Sequence, residues 1–295
     1  MAPEWTPSPI GFGEPSCSNP ERVGRDGFLS LRFGRRLGKT TLAQCRFRLP
    51  LQALTPVELA DGTAYLMLLN PTGGLVGSDF LFTQISQEPH TRVCLTTPSA
   101  TRVYRTQGQP AVQETQIRIE EGASLEYLPD HVIPYRNARL RQSLRVEMGR
   151  GSRGIFWDAL AAGRVAHGER WNFHEVDSNI EISLCGEAVF LNRTRIRPAA
   201  FDPDRLGFAE GFNYLATLII LADELESWRE TVKAMDAEIK NLPHVYGGVS
   251  TLASTGCVVK LLARSASDLT CAQAALWGRA RHMILGSPAI DLRKY

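Results

Sequence analysis

The chain has 295 residues, 43% hydrophobic and 22% charged, with a net charge of +2. These figures describe a globular protein with enough apolar residues for one large core or two small ones. They exclude a disordered chain and argue against a dedicated nucleic-acid binder, which carries a stronger basic bias. The basic residues are 28 Arg and 5 Lys. Arginine suits planar, bidentate contacts at interfaces, although a GC-rich genome produces the same bias.

In chain order, residues 1–25 are rich in Pro and Gly and lack the basic and apolar regions of a signal peptide, so a flexible lead-in is expected. Residues 28–33 and 41–49 alternate apolar and polar side chains around a GRRLGK turn, which predicts a hairpin. AYLMLL and FLFTQI flank the glycine-rich stretch LLNPTGGLVGSD (68–79). TRVCLTT, TRVYRT, AVQETQIRIE and SLEYL follow as short strands between Pro- or Gly-containing turns. In RLRQSLRVEM, Arg139, Arg141 and Arg145 take one face of a strand, and Leu140, Leu144, Val146 and Met148 the other. NIEISL and AVFLNRTRIR form a second hairpin around Cys185-Gly186-Glu187.

The last third changes character. Leu221, Leu225, Trp228, Val232, Met235 and Ile239 recur at steps of four and three, which predicts a helix over 221–241 stopped by Pro243. GCVVKLLAR reads as a strand. A second helix is expected over 268–285, capped by Asp268 and ended by Gly286-Ser287-Pro288. The longest apolar run, Tyr214–Ala222, is too short to span a bilayer, so no membrane association is expected. The reading is a mainly β protein, with one domain over 26–295 and two helices near its C-terminus. No internal repeat is evident.

The chemistry-bearing motifs are weak. Gly74-x-x-Gly77 supplies two glycines of a dinucleotide fingerprint, but the first position is Thr72, and a strand-like segment follows where a helix is needed. GRRLGKTT has three residues between its glycines where a Walker loop has four. The histidines (His90, His131, His167, His174, His244, His282) make no i, i+4 pair. Six cysteines without a C-x-x-C pair suggest neither zinc nor a disulfide scaffold, and reduced thiols suit the cytoplasm. No catalytic constellation requires an enzyme. A nucleotide-dependent enzyme built on the Gly73–Gly77 loop and a generic β-rich interaction module stay open as alternatives.

Four ordered segments resemble the urease accessory protein UreD family, called UreH in some lineages. LLNPTGGLVGSD is similar to the signature H-P-P-G-G-x-V-G-G-D, and TTPSATRVYR (96–105) to T-x-P-x-A-x-K-x-Y-R. LEYLPDHVIPYRNARL (125–140) resembles L-E-W-L-P…N-A-R, and WDALAAGRVAHGERW (157–171) resembles D-x-x-x-x-G-R-x-x-x-G-E-x-F. The LRKY ending is also family-like. Asn70, Thr72 and Ser78 replace the signature's His, second Pro and last Gly, and Arg102 replaces its Lys.

The resemblance implies a stacked multi-strand β architecture and a non-enzymatic scaffold. Such a scaffold binds UreF, joins UreG through UreF, docks on the urease apoprotein, and assists nickel insertion. No cofactor is held tightly, and nickel is in transit. The motif residues Gly73, Gly74, Gly77, Pro98, Tyr104, Arg105, Pro129, Asn137, Arg139, Gly163, Arg164 and Gly168 are expected to be structural. Asp79, Asp158 and Glu169 are expected to line a polar nickel route, with simple turn hydrogen bonding as the competing role of Asp79 and Glu169.

Overall fold

The computed structural model describes residues 25–223, 228–252 and 255–292. The expected lead-in lies outside them except for Arg25, as does the LRKY ending except for Leu292.

The chain starts with the expected hairpin, β1 (Asp26–Arg36) and β2 (Lys39–Arg48), which reverses at Leu37 and Gly38 with φ of 52° and 81°. Two short strands follow, β3 (Gln52–Ala53) and β4 (Val57–Glu58). Four coils are then wound between two sheets. The first coil is β5 (Ala64–Leu69) and β6 (Phe80–Gln87). The second is β7 (Arg92–Thr96), β8 (Thr101–Val103) and β9 (Ala111–Ile119). The third is β10 (Ser124–Leu128), β11 (Val132–Pro134) and β12 (Arg139–Met148). The fourth is β13 (Arg153–Ala161) and β14 (Glu175–Leu184).

Strands from successive coils pair in parallel, with β6, β9, β12 and β14 in one sheet and β5, β7, β10 and β13 in the other. The first strands of the coils begin at residues 64, 92, 124 and 153, about 30 residues apart, which is a solenoid repeat. The expectation of no repeat is therefore corrected. The repeat lies in the geometry, because each coil needs apolar residues at inward positions without needing the same ones.

Those inward residues stack. Leu31, Ile85, Ile117, Val146, Ile182 and Phe190 occupy one register row of the first sheet. Leu66, Leu95, Tyr127, Phe156 and Ile219 form a row of the second. All are buried, and each contributes about 1.5–3 kcal/mol relative to exposure.

The remaining elements close the far end. β15 (Glu187–Ile196) pairs antiparallel with β14 and ends the first sheet. β16 (Tyr214–Ala222) extends the second sheet beside β13. Helix α1 (Trp228–Asn241) leads to β17 (Val245–Leu252), which pairs with β18 (Gly256–Ala263), itself paired with β16. Helix α2 (Ala266–Ala280) follows and runs into a π-helical turn at Arg281–Leu285.

One apolar core lies between the sheets, and a second lies between the second sheet and the helices. Two helix expectations are corrected. Leu221 belongs to β16, so the α1 period begins at Trp228 among the described residues. The cap of α2 is Ser265, whose hydroxyl accepts from the Asp268 N–H while Asp268 bonds back, so Asp268 is the third residue of a capping box.

Under α2, Arg281 is fully buried. It donates to Glu126 Oε1 at 2.5 Å, to Asp61 Oδ2 and to the Pro288 carbonyl at 3.0 Å, while Trp277 Nε1 donates to Glu126 Oε2. This cluster pins the C-terminal turn to the coils.

Candidate functional site

All four family-like segments lie at the same corner, where each coil passes from the second sheet to the first. In the first coil the loop 70–79 lies against β8. Leu75 N–H donates to the Arg102 carbonyl and Tyr104 N–H to the Leu75 carbonyl, both at 2.8 Å. Gly74 permits this approach, because a Cβ there would lie 2.4 Å from the Arg102 oxygen and 2.8 Å from the Tyr104 ring. Gly73 turns at φ 78°, and Gly77 lies against Thr106.

The Tyr104 ring meets Tyr135 edge-on at 5.1 Å, and the Arg164 guanidinium lies 4.6 Å from the Tyr135 centroid. Arg164 Nε in turn donates to Glu169 Oε2 at 2.7 Å. Gly74, Tyr104, Tyr135, Arg164 and Glu169 thus form a ladder through the four coils.

The other motif residues support the same corner. Asn137 adopts φ 61°, donates its N–H to the Asn172 carbonyl and accepts from Thr106 N–H. Arg139 reaches His174 Nε2 at 2.9 Å. Gly163, at φ 144°, abuts the Glu169 carbonyl, and Gly168 closes a 3₁₀ turn at φ 68°. Arg105 is exposed, whereas Pro98 and Pro129 line a cavity beneath the corner.

The loop does not offer a phosphate cradle. The N–H groups of Gly73, Leu75 and Val76 are engaged by Asn70 O, Arg102 O and Asp79 Oδ2. Strand β6 follows the loop, in place of the helix that a pyrophosphate site needs. Ser78, where the family signature has Gly, holds φ 69°.

Beneath the corner, the inter-sheet core is interrupted by polar residues in register. Gln113, Gln142, Ser178 and Thr194 form a row across β9, β12, β14 and β15. Asp158, Thr217, Lys260 and Gly248 form a row across β13, β16, β18 and β17. Gln142 Nε2 donates to Asp158 Oδ1 at 3.0 Å and to Ser178 Oγ at 2.9 Å, joining the two rows.

Two cavities, of about 160 Å³ and 460 Å³, meet here, and Gln142, Asp158 and Ser178 line both. Exposed lining residues are Gly73, Pro98, Ser99 and Arg102 in the first and Tyr246, Gly248 and Lys260 in the second. Most of the lining of both cavities is apolar, and these polar side chains stand at their shared wall, where water finds partners. Burial pushes the Asp158 carboxyl above its usual range, while the Gln142 hydrogen bond and the Lys260 charge oppose that shift. Burial pushes the Lys260 ammonium down, with Asp158 opposing.

Of the three carboxylates expected on a nickel route, Asp158 lines the cavities. Asp79 accepts from Val76 N–H in its turn, and Glu169 pairs with Arg164 at the corner; neither lines either cavity. Sequence reading missed Gln142, Ser178, Thr217 and Lys260. Their signal is a polar residue at an inward position of an otherwise apolar strand, as Thr217 stands in YLATLIILA.

Among the described residues no helix is long and apolar enough to cross a membrane. Residues 25–294 match the family described as UreD urease accessory protein. Curated proteins named urease accessory protein UreD align over most of their length. That of Herpetosiphon aurantiacus is 32% identical over 271 residues, covering 88% of this chain and 93% of the relative. That of Mycolicibacterium gilvum is 33% identical, covering 84% and 90%. That of Deinococcus radiodurans is 32% identical, covering 92% and 96%. With its corner motifs stacked in order through four coils, the chain belongs to the UreD family of urease accessory proteins.

Proposed function

We propose that this protein is a non-enzymatic scaffold of urease maturation, and that its polar interior carries nickel to the urease apoprotein. In this reading it binds UreF, reaches UreG through UreF, and docks on the apoprotein in the cytoplasm. The observation that carries the proposal is the pair of polar rows joined by Gln142, Asp158 and Ser178, three residues that line two cavities in common. Polar groups inside a core are costly unless they serve a purpose or bond one another. Here they leave space beside them.

Nickel is served by carboxylate, water and imidazole oxygen or nitrogen donors, and a tight site would hold it instead of passing it on. Conduction needs contacts favourable enough to admit an ion and weak enough to release it. One carboxylate flanked by an amide and a hydroxyl, with room for water, fits that requirement. Asp79 and Glu169 then shape the corner above the route.

The family assignment favours this reading over a generic β-rich module, and the engaged loop amides favour it over a nucleotide-dependent enzyme. The test has two parts. Co-purification with UreF and the urease apoprotein examines the scaffold. Asp158→Asn examines the route, because it keeps shape and removes charge. The expected result is intact complexes with slowed nickel delivery, and wild-type delivery by Asp158→Asn refutes the route through this residue.

A further inference from the structure

Lys260 is one of five lysines in the chain, and its position is unusual. It lies on the sheet face that looks into the cavity, in the same register row as Asp158 and Thr217. Its neighbours along β18, Cys257, Val259 and Leu261, face the helices, so Lys260 turns the other way, to the cavity side of the sheet, where it is exposed. Two strand spacings, about 10 Å, separate its backbone from that of Asp158. The ammonium does not fold onto the carboxylate. It donates to Asn192 Oδ1 at 2.7 Å on β15, in the other sheet, through an exposed hydrogen bond. Opposite it in register is Gly248, where an added Cβ would meet nothing within 4 Å. Packing does not require a glycine there, and its absent side chain leaves the mouth open beside the ammonium.

We propose that Lys260 is a charge gate that keeps Asp158 from becoming a nickel trap. The proposal rests on the nickel route given above and names the residue that regulates it. Asp158, Gln142 and Ser178 converge on a cavity large enough for a partly hydrated divalent cation. Left alone, a half-buried carboxylate attracts that cation more strongly than one in bulk water, because the effective dielectric beside it is lower. A fixed positive charge at the exposed edge of the same cavity lowers the cation's dwell time there. It does so without occupying the path, because Asn192 on the opposite sheet holds the ammonium aside. Each of Asp158 and Lys260 favours the other's charged form, as a secondary influence beside burial. Among the described residues no other charged side chain shares the row; Arg193, next to Asn192 on β15 of the other sheet, is paired with Asp177.

The experiment measures equilibrium binding of nickel chloride to the full-length protein by calorimetry, alongside nickel release to the apoprotein in the assembled complex. Lys260→Met removes the charge and keeps a stem of similar length. It is expected to bind nickel more tightly, on the order of tenfold, and to release it more slowly. Lys260→Arg retains the charge and is expected to behave like the wild type, which separates a charge role from packing. Adding Asp158→Asn to Lys260→Met is expected to abolish the gained affinity. If Lys260→Met binds nickel no more tightly while Asp158→Asn still slows delivery, the gate is wrong and the route stands. Tighter binding that survives Asp158→Asn overturns the pairing of these two residues. Unchanged delivery by Asp158→Asn alone removes the route and the gate together.

Discussion

Replacing Gly74 with alanine adds one methyl group at the tightest point of the corner. The new carbon would lie 2.4 Å from the Arg102 carbonyl oxygen, 2.8 Å from a Tyr104 ring carbon and 3.0 Å from Arg102 Cβ. Close carbon–oxygen contacts settle at about 3.3 Å or more, so the loop and β8 must part by about 1 Å. That movement stretches the two 2.8 Å hydrogen bonds joining Leu75 to Arg102 and Tyr104. Leu75 and Val103 are fully buried, so water does not replace those bonds. A weakened buried hydrogen bond costs about 1–3 kcal/mol and overpacking a similar amount, and partial relaxation leaves about 2–4 kcal/mol in total. For a chain of this size the melting temperature falls by about 4–8 °C. A fluorescence melt of the purified variant measures it. A Gly74→Ala protein melting within about 1 °C of the wild type refutes the close-approach reasoning. One that also fails to bind a single partner makes the loop a contact surface.

Two further perturbations follow from the same geometry. Arg281→Met leaves Glu126 buried without its guanidinium, so urea unfolding should show a loss of about 3–5 kcal/mol, much of it restored when Glu126→Leu is added. At Asp204, burial raises the carboxyl's pKa, but hydrogen bonds from Arg170 and Trp171 and the Arg170 charge outweigh it, holding the group below its usual range. A depressed folded value means the stabilisation is present above the unfolded value of about 3.9 and is lost as pH falls through the folded one. Asp204→Asn is therefore expected to cost up to about 1 kcal/mol at pH 7, since the pair is partly exposed, and progressively less on acidification. A constant cost from pH 7 down to about pH 3 would contradict the ion pair's role.

Much of the β framework was legible because each strand carries its own alternation. AYLMLL is β5 to the residue, and the turns at Gly38 and Gly186 announced both hairpins. The parallel stacking was not legible, because strands that pair across coils are about 30 residues apart and share no local signal. In sequence β16 is only an apolar run, and its Leu221 also fits the helical period. Leu221 is committed to the sheet by its pairing with Gly154. At the site, the glycine loop stands out in the sequence by its composition, and its contact with β8 is visible only once the coils are stacked. Asp158 was picked out within its motif. Its partners Gln142, Ser178, Thr217 and Lys260 come from four other strands and meet it only through register.

Nickel transfer through a plugged interior examines the route most directly. Ser178 is buried and lines both cavities, so Ser178→Leu fills space at their shared wall without altering the exposed lining residues. The complex with UreF and the urease apoprotein is assembled with this variant, its composition verified by light scattering, and nickel arriving at the apoprotein is followed over time. If the interior is the route, the complex forms and nickel delivery collapses. Delivery at the wild-type rate through a complete, plugged complex would show that nickel passes elsewhere.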